Sequence, residues 1–280
     1  PTMSVISPVK EHGLTPEQVE FWSENGYLHL PSVFTEEEAG FLCDEAHDLL
    51  NRHLDADSGG VSFSGWGSAK KVADGPLKLF HCHNVQFQSS AFARMMVDPR
   101  LTDRMADLIG PNIQLHHTKM FIKPPEQGAP FPMHQDYPYF PHHDDTMIAA
   151  IVHLDDAPVE RGCVRVAPGS HKLGPMDHIN EGGHHLSTDE YPVAEATAAP
   201  AKAGDVVVFS YLTAHGSGVN VSDESRTTVL VQMRNPSDRP MTDGHVSRGQ
   251  GMMLRGFDPE ADAGTGVDSP SRYLRETYGG

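Results

Sequence analysis

The first third of the chain is written in helical spacing. Thr15-Pro16-Glu17-Gln18 places a hydroxyl at a cap position, proline at the first helical position and glutamine three residues after the threonine. With Gly26 as a stop, the pattern predicts a helix. Thr35-Glu36-Glu37-Glu38 repeats the start signal, and Leu42, Ala46, Leu49 and Leu50 then recur on one apolar face. Asp98-Pro99 opens a third predicted helix, closed by Gly110-Pro111. Residues 56–75, between the second and third, are rich in Gly and Ser and lack periodicity, which reads as a long loop.

Beyond Pro111 the period shortens. Residues 112–123, 146–154, 163–167, 205–212 and 226–233 are short and apolar or β-branched, with Gly, Pro and Asp between them. Such runs predict a sandwich, jelly roll or barrel rather than alternating strand–helix units. The expected fold class is mainly β with flanking helices. One domain is expected over residues 1–280, with a helical part at about 15–110, a β core at about 111–235 and a C-terminal extension at 236–280. Residues 255–280, rich in Gly and Asp, are expected to be loosely ordered. Loops at 56–75, 124–133 and 172–200 are expected to form a mouth.

Composition narrows the function. A formal charge of −17 argues against a general nucleic-acid or anionic-membrane surface. No apolar run is long enough to span a bilayer, and the first ten residues lack the build of a secretory signal. Cys43, Cys82 and Cys163 are widely spaced and form no CxxC pair, which predicts buried thiols in a reducing, cytoplasmic setting. Oligomeric state is left open. The eighteen histidines assign no role by number alone, and pairs such as His142-His143 and His184-His185 are read as loop residues.

Candidate chemistry centres on PFPMHQDYPYF, residues 130–140. In an extended segment His134 and Asp136 share a face while Gln135 points away. An imidazole and a carboxylate converging on one point are two-thirds of the two-histidine, one-carboxylate set that holds non-haem Fe(II) with open positions. His215, where the apolar run DVVVFSYL gives way to a small-residue turn, is the candidate third ligand. Arg226 follows shortly, with Ser217 between. Oxygen activation at such an iron needs two electrons from a co-substrate, usually 2-oxoglutarate. Its far carboxylate requires a planar charged fork and a hydroxyl in a poorly hydrated cavity. Strand alternation sets Arg226, Thr228 and Gln232 on one face against Val229, Val231 and Met233 on the other. An edge arginine capped by Asp223 or Glu224 is the competing reading.

In order, the chain carries Lys123-Pro124-Pro125, His134-Gln135-Asp136, Tyr139-Phe140, Gly162-Cys163, Pro168-Gly169-Ser170-His171-Lys172, Gly204-Asp205, His215-Gly216-Ser217-Gly218, Asn220, Ser222 and Arg226. This series resembles the phytanoyl-CoA dioxygenase family of Fe(II)/2-oxoglutarate oxygenases over roughly residues 20–235. The resemblance implies a double-stranded β-helix (a cupin-like jelly roll) with flanking helices. It implies iron on His134, Asp136 and His215, and Ser217 and Arg226 on the far carboxylate of 2-oxoglutarate. Weaker co-substrate contacts would come from Gln135 and Lys119. Where the family's best-known member places a tryptophan near the co-substrate, the matching position here is Val152. Its upstream basic residue is matched by His81 or His83.

The implied activity is a dioxygenase that uses Fe(II), 2-oxoglutarate and O₂ to hydroxylate an unactivated C–H bond of a small molecule, releasing succinate and CO₂. A halide ligand is not expected, because Asp136 fills its place. A non-redox cupin-like isomerase or hydrolase is the alternative, and a silent ligand-binding module the third reading. The first would need no Arg226–Ser217 pair and form no succinate; the second predicts tight metal-free ligand binding and indifference to Asp136→Ala. The prime substrate is expected not to be a coenzyme A thioester. The mouth loops carry few basic residues, Lys70, Lys71 and Lys172, among many acidic ones, whereas Phe63, Trp66, Phe131 and Tyr137 offer aromatic surface.

Overall fold

A computed structural model describes residues 10–57, 67–68, 79–126, 128–180, 184–242 and 247–261. The helices begin where the caps require. α1 (Pro16–Asn25) starts on a Thr15–Gln18 capping box and ends at Gly26 with φ +73°. α2 (Glu36–Asp57) starts on a reciprocal pair, the Glu38 N–H donating to Thr35 Oγ1 and the Thr35 N–H to Glu38 Oε2. α4 (Pro99–Ile109) starts on the Asp98 carboxylate. The short α3 (Ser90–Met96) has no counterpart among the predicted helices.

The strands are β1 (Tyr27–Leu30), β2 (Gly67–Ser68), β3 (Phe80–His83), β4 (Ile113–Lys123), β5 (Phe131–His134), β6 (Ile148–His153), β7 (Val164–Val166), β8 (Thr197–Ala199), β9 (Val206–Ser210), β10 (His215–Ser217), β11 (Arg226–Arg234) and β12 (Met253–Arg255). They form two antiparallel sheets. The larger runs β1-β9-β6-β11-β4-β3-β2 with β12 added beside β4, and the smaller runs β5-β10-β7-β8. This is the expected jelly roll, and all five strands read from the sequence are present within two residues at most boundaries.

Strand alternation divides the core in two. One face of the large sheet, including Val229, Val231, Met233, Ala150 and Val152, packs on Leu42, Ala46 and Leu49 of α2, Phe92 of α3 and Met105 of α4. The other face turns Ala149, Ile151, Val207, Phe209 and Leu230 toward Val164, Val166 and Ala199 of the small sheet. Each buried Val, Leu, Ile, Phe or Met among them contributes about 1.5–3 kcal/mol of apolar transfer energy, and a one-residue slip would swap the helix-packing set with the set facing the small sheet. The site lies between the sheets.

Three expectations change. Residues 131–133, read as mouth loop, belong to β5, and Thr197–Ala199 within the 172–200 loop form β8. Both strands are too short to show a period of two. In the C-terminal extension Met253–Arg255 is paired with β4, and buried Arg255 ion-pairs with Asp103 at 3.0 Å. Sheet pairing and a salt bridge anchor Arg255, the first residue of the 255–280 tail that composition suggested was loose. Most of the 56–75 loop, including Phe63, Trp66, Lys70 and Lys71, lies outside the described residues, as do residues 262–280.

Candidate active site

β5 and β10 pair so that His134 and His215 stand directly opposite each other, with ring centroids 4.3 Å apart. Cross-strand neighbours are the closest side chains a sheet offers, so two histidines distant in sequence meet without help from a loop. Asp136 arrives differently from the sequence expectation. The chain leaves the strand after His134, and Asp136 has helical backbone angles (φ −76°, ψ −22°). Its N–H and that of Tyr137 both donate to the Tyr211 carbonyl, at 3.0 and 3.2 Å. This turn, rather than a pleat, brings the carboxylate back over the two imidazoles.

In the resulting cluster Asp136 Oδ1 lies 3.8 Å from Nε2 of both His134 and His215. The other ring nitrogens are engaged: His134 Nδ1 sits 2.8 Å from the Pro132 carbonyl and His215 Nδ1 2.9 Å from the Thr213 carbonyl. A carbonyl only accepts, so each Nδ1 carries the proton and each Nε2 offers a lone pair to the centre. Burial pushes the His134 imidazole down to about 4, with His215 the next influence, so it is held in the neutral, ligating form. The Gln232 amide donates to Asp136 Oδ2 at 3.0 Å, which fixes the carboxylate and leaves Oδ1 facing the histidines. The donor set therefore fits a divalent ion bound on one face.

Beside the cluster a cavity holds roughly 550 Å³ of empty space including its opening. Phe121, Phe131, Ile151, Phe209 and Leu230 give it apolar walls, and Ser217, Arg226 and Thr228 are its polar lining away from the cluster. Arg226 opens β11, the strand flanked by β4 and β6, and is 3 % exposed. Glu224, one of the two caps in the competing reading, pairs instead with Arg161. No carboxylate lies within ion-pair distance of Arg226 among the described residues, and its Nε is buried without a hydrogen-bond partner. Burial lowers its guanidinium pKa to about 10, with Asp155 the main opposing influence, so the group stays charged. A buried, charged, unpaired fork lining a small cavity is costly unless an anion enters.

Sequence reading gave Lys123 no role beyond its motif. Its side chain is fully buried, and Nζ donates to Ser217 Oγ at 2.8 Å and to the Gly218 carbonyl. Burial, then neighbouring Arg226, pushes the amine well below its usual range. Because Lys123 fills one acceptor site on Ser217, it orients that hydroxyl toward the cavity side. The Lys-Pro-Pro motif was the available signal; the missing step was its pairing with Arg226 across the strands.

Of the other positions singled out, Gln135 and Val152 face away from the cavity, whereas Lys119 lies close enough to act electrostatically on Asp136 and His134. The Gln135 side chain is fully buried but committed: its amide donates to the carbonyls of Gly174 and Leu212, and its Oε1 accepts from Met176 N–H. It ties down the 174–176 segment and does not line the cavity, because the alternation that aims His134 inward aims Gln135 out. Val152 likewise faces the helical core, and the cavity residue on β6 is Ile151. Lys119 stands beside Phe121 on the same side of β4, its Nζ 5.0 Å from that ring, and burial lowers it to about 8. His81 and His83 pair with Phe121 and Lys119 across β3 and β4. Tyr137 packs on Tyr211, at 5.5 Å between centroids.

A jelly roll whose paired strands present two histidines and a carboxylate beside a buried arginine defines a cupin-like protein with a non-haem metal site. The chain belongs to the phytanoyl-CoA dioxygenase family, whose model matches residues 22–228. It is 27% identical over 223 residues to the probable alpha-ketoglutarate-dependent hypophosphite dioxygenase of Stutzerimonas stutzeri, covering 77% of each chain. It is also 27% identical over 228 residues to the peroxisomal phytanoyl-CoA dioxygenase of Homo sapiens, covering 77% of this chain and 67% of that one. Among solved structures it is similar to the non-heme alpha ketoglutarate dependent carbocyclase SnoK from nogalamycin biosynthesis. The TM-score there is 0.67 at 24% identity, over 85% of this chain and 93% of that one. The protein is an iron- and 2-oxoglutarate-dependent dioxygenase.

Proposed function

We propose that the enzyme hydroxylates an unactivated C–H bond of a small metabolite, with His134, Asp136 and His215 holding Fe(II). Arg226 and Ser217 would bind the far carboxylate of 2-oxoglutarate. The observation that carries the reading is the charged Arg226, buried without an ion-paired carboxylate among the described residues, in one small cavity with the three converging donors. When bound, the iron and co-substrate together supply the oxidising chemistry; one atom of O₂ goes to the product and the other to succinate, with CO₂ leaving. The chain's own residues bind and position. Pro132 and Thr213 carbonyls set the histidine tautomers, Gln232 orients Asp136, and Lys123 orients Ser217. The phenylalanine and aliphatic walls exclude water, which strengthens the Arg226–carboxylate attraction. A non-redox isomerase or hydrolase would leave that arginine without a purpose.

The prime substrate is, on this reading, not a coenzyme A thioester. Of the basic residues expected at the mouth, Lys172 is half-exposed and paired with Glu24 at 2.6 Å, so its charge is partly offset by a neighbouring carboxylate. At a net charge of −17 the long-range field also opposes a polyanion, within the ~8 Å that physiological salt allows. Three free thiols, Cys43, Cys82 and Cys163, suit a reducing, cytoplasmic setting, and no helix among the described residues is long and apolar enough to cross a membrane. The test is succinate release over acyl-CoA esters, the matching free acids, amino acids and polyketide- or terpene-like compounds, with anaerobic controls. Oxygen-dependent succinate above the substrate-free rate is expected with a free small molecule. Coupled turnover with the CoA esters alone would overturn the substrate reading, and no oxygen-dependent succinate under any condition would overturn the reaction.

A further inference from the structure

A second set of metal-binding side chains lies on the opposite side of β11 from the cavity. Cys43 and His47 are four residues apart on α2, so their side chains stand one above the other on one helix face. Asp155 follows β6 and faces them. One donor atom from each of the three lies within 4.8 Å of the others, and Cys43 Sγ is 3.9 Å from Asp155 Oδ2. Thr227 closes the group: its N–H donates to both Asp155 oxygens, at 2.8 and 2.9 Å, and its hydroxyl meets His47 Nε2 at 3.0 Å. All three donors are half-buried, so an ion and a water can reach them.

The geometry points to a zinc-class divalent cation held by Cys43, His47 and Asp155, with water or the Thr227 hydroxyl in the fourth position. Thiolate, imidazole and carboxylate together suit tetrahedral Zn(II), whose bonds of about 2.0–2.3 Å space the donors roughly 3.3–3.6 Å apart. The donors, which lie within 4.8 Å of one another, need to close by up to roughly 1.2–1.5 Å to reach those separations. Burial raises the Cys43 thiol to about 11, raises the Asp155 carboxyl to about 6 and lowers His47, so binding a dication would require the thiol proton to be released to solvent. The bound ion would clamp α2 to β11 one residue from Arg226, so its role is structural support of the co-substrate anchor.

Cobalt(II) titration of the whole protein, purified metal-free, separates this site from the cavity cluster, because only a thiolate ligand gives a near-ultraviolet sulfur-to-cobalt charge-transfer band. Wild type is expected to bind two equivalents and show the band. Cys43→Ser should bind one equivalent without the band, and His47→Gln should weaken the sulfur-linked equivalent at least tenfold. His215→Ala should keep the band while losing the other equivalent. Zinc should raise the Tm of wild type and not that of Cys43→Ser. A wild type without a sulfur band, or a band that survives Cys43→Ser, would overturn the second site and leave the cavity assignment standing. A band with only one equivalent bound would instead count against the cavity cluster.

Discussion

At the scale of single residues, the proposed roles fall on groups whose charge or lone pair has no other use in the fold. Arg226 is the clearest. Removing one partner from a buried charge pair costs about 3–5 kcal/mol, so Arg226→Ala should raise the KM for 2-oxoglutarate by hundreds-fold or more, with a much smaller effect on the prime substrate. Arg226→Lys should recover only part, since an ammonium cannot form the bidentate fork. Steady-state kinetics with 2-oxoglutarate as the varied substrate check this, and an unchanged KM in Arg226→Ala would remove the anchor. His134, Asp136, His215 and Arg226, singled out in the sequence because few residue types can do the chemistry proposed for them, are brought to one cavity by the fold. Gln135 was misplaced, since a polar side chain beside a ligand looks the same whether it meets the co-substrate or, as here, three backbone groups. Val152, matched to the family's tryptophan, faces the helical core, and a fully apolar strand does not reveal beforehand which of its faces meets the cavity.

At the scale of elements, the site is assembled by pairing of strands that are individually too short to read. β5 and β10 have four and three residues, below the length at which alternation is visible, yet their register sets His134 against His215. The longer strands β4, β6, β9 and β11 and the capped helices α1, α2 and α4 were legible from local signals, which here agree with the packing. One turn tests how tightly the small sheet is held. Gly162 has φ +67°, and a Cβ there would stand 2.3 Å from the Gly218 carbonyl oxygen, next to Ser217. Gly162→Ala should cost ~1–3 kcal/mol or more from the left-handed backbone alone, and should also raise the KM for 2-oxoglutarate by displacing Ser217. Urea denaturation with parallel kinetics reads both; a variant as stable as wild type would contradict the contact.

For the whole molecule, a jelly roll must bury polar groups between its sheets to make a site, and this shows in the pH dependence of stability. His153 is fully buried on β6 with neither ring nitrogen hydrogen-bonded, and burial, then Arg226, pushes it down to about 3. The unfolded chain binds this proton near pH 6.5 and the folded one only near 3. The neutral histidine's contribution is therefore fully present above about 6.5 and is lost as pH falls toward 3, amounting to ~3 kcal/mol by about pH 4. Asp155 acts with the opposite sign: its folded pKa of about 6 lies above the unfolded 3.8, so its protonation offsets part of the loss as pH falls through 6. Metal-free protein should lose stability below pH 6.5, and His153→Leu should lose about 3 kcal/mol less than wild type between pH 7 and 4. Parallel curves for the two proteins would contradict the burial. None of this was legible beforehand, because His153 is one of eighteen histidines and only the closed fold takes water from it.

The central claim is that three side chains bind iron and a fourth holds the co-substrate beside it. It is tested most directly by adding 2-oxoglutarate to Fe(II)-loaded protein under nitrogen and recording the weak visible charge-transfer band of the chelated co-substrate. Wild type should develop the band at one iron per chain. Asp136→Ala and His215→Ala should show neither bound iron nor band, and Arg226→Ala should keep the iron but need hundreds-fold more 2-oxoglutarate to reach the same absorbance. A band of unchanged strength and midpoint in all three variants would contradict the assignment of both the metal and its co-substrate.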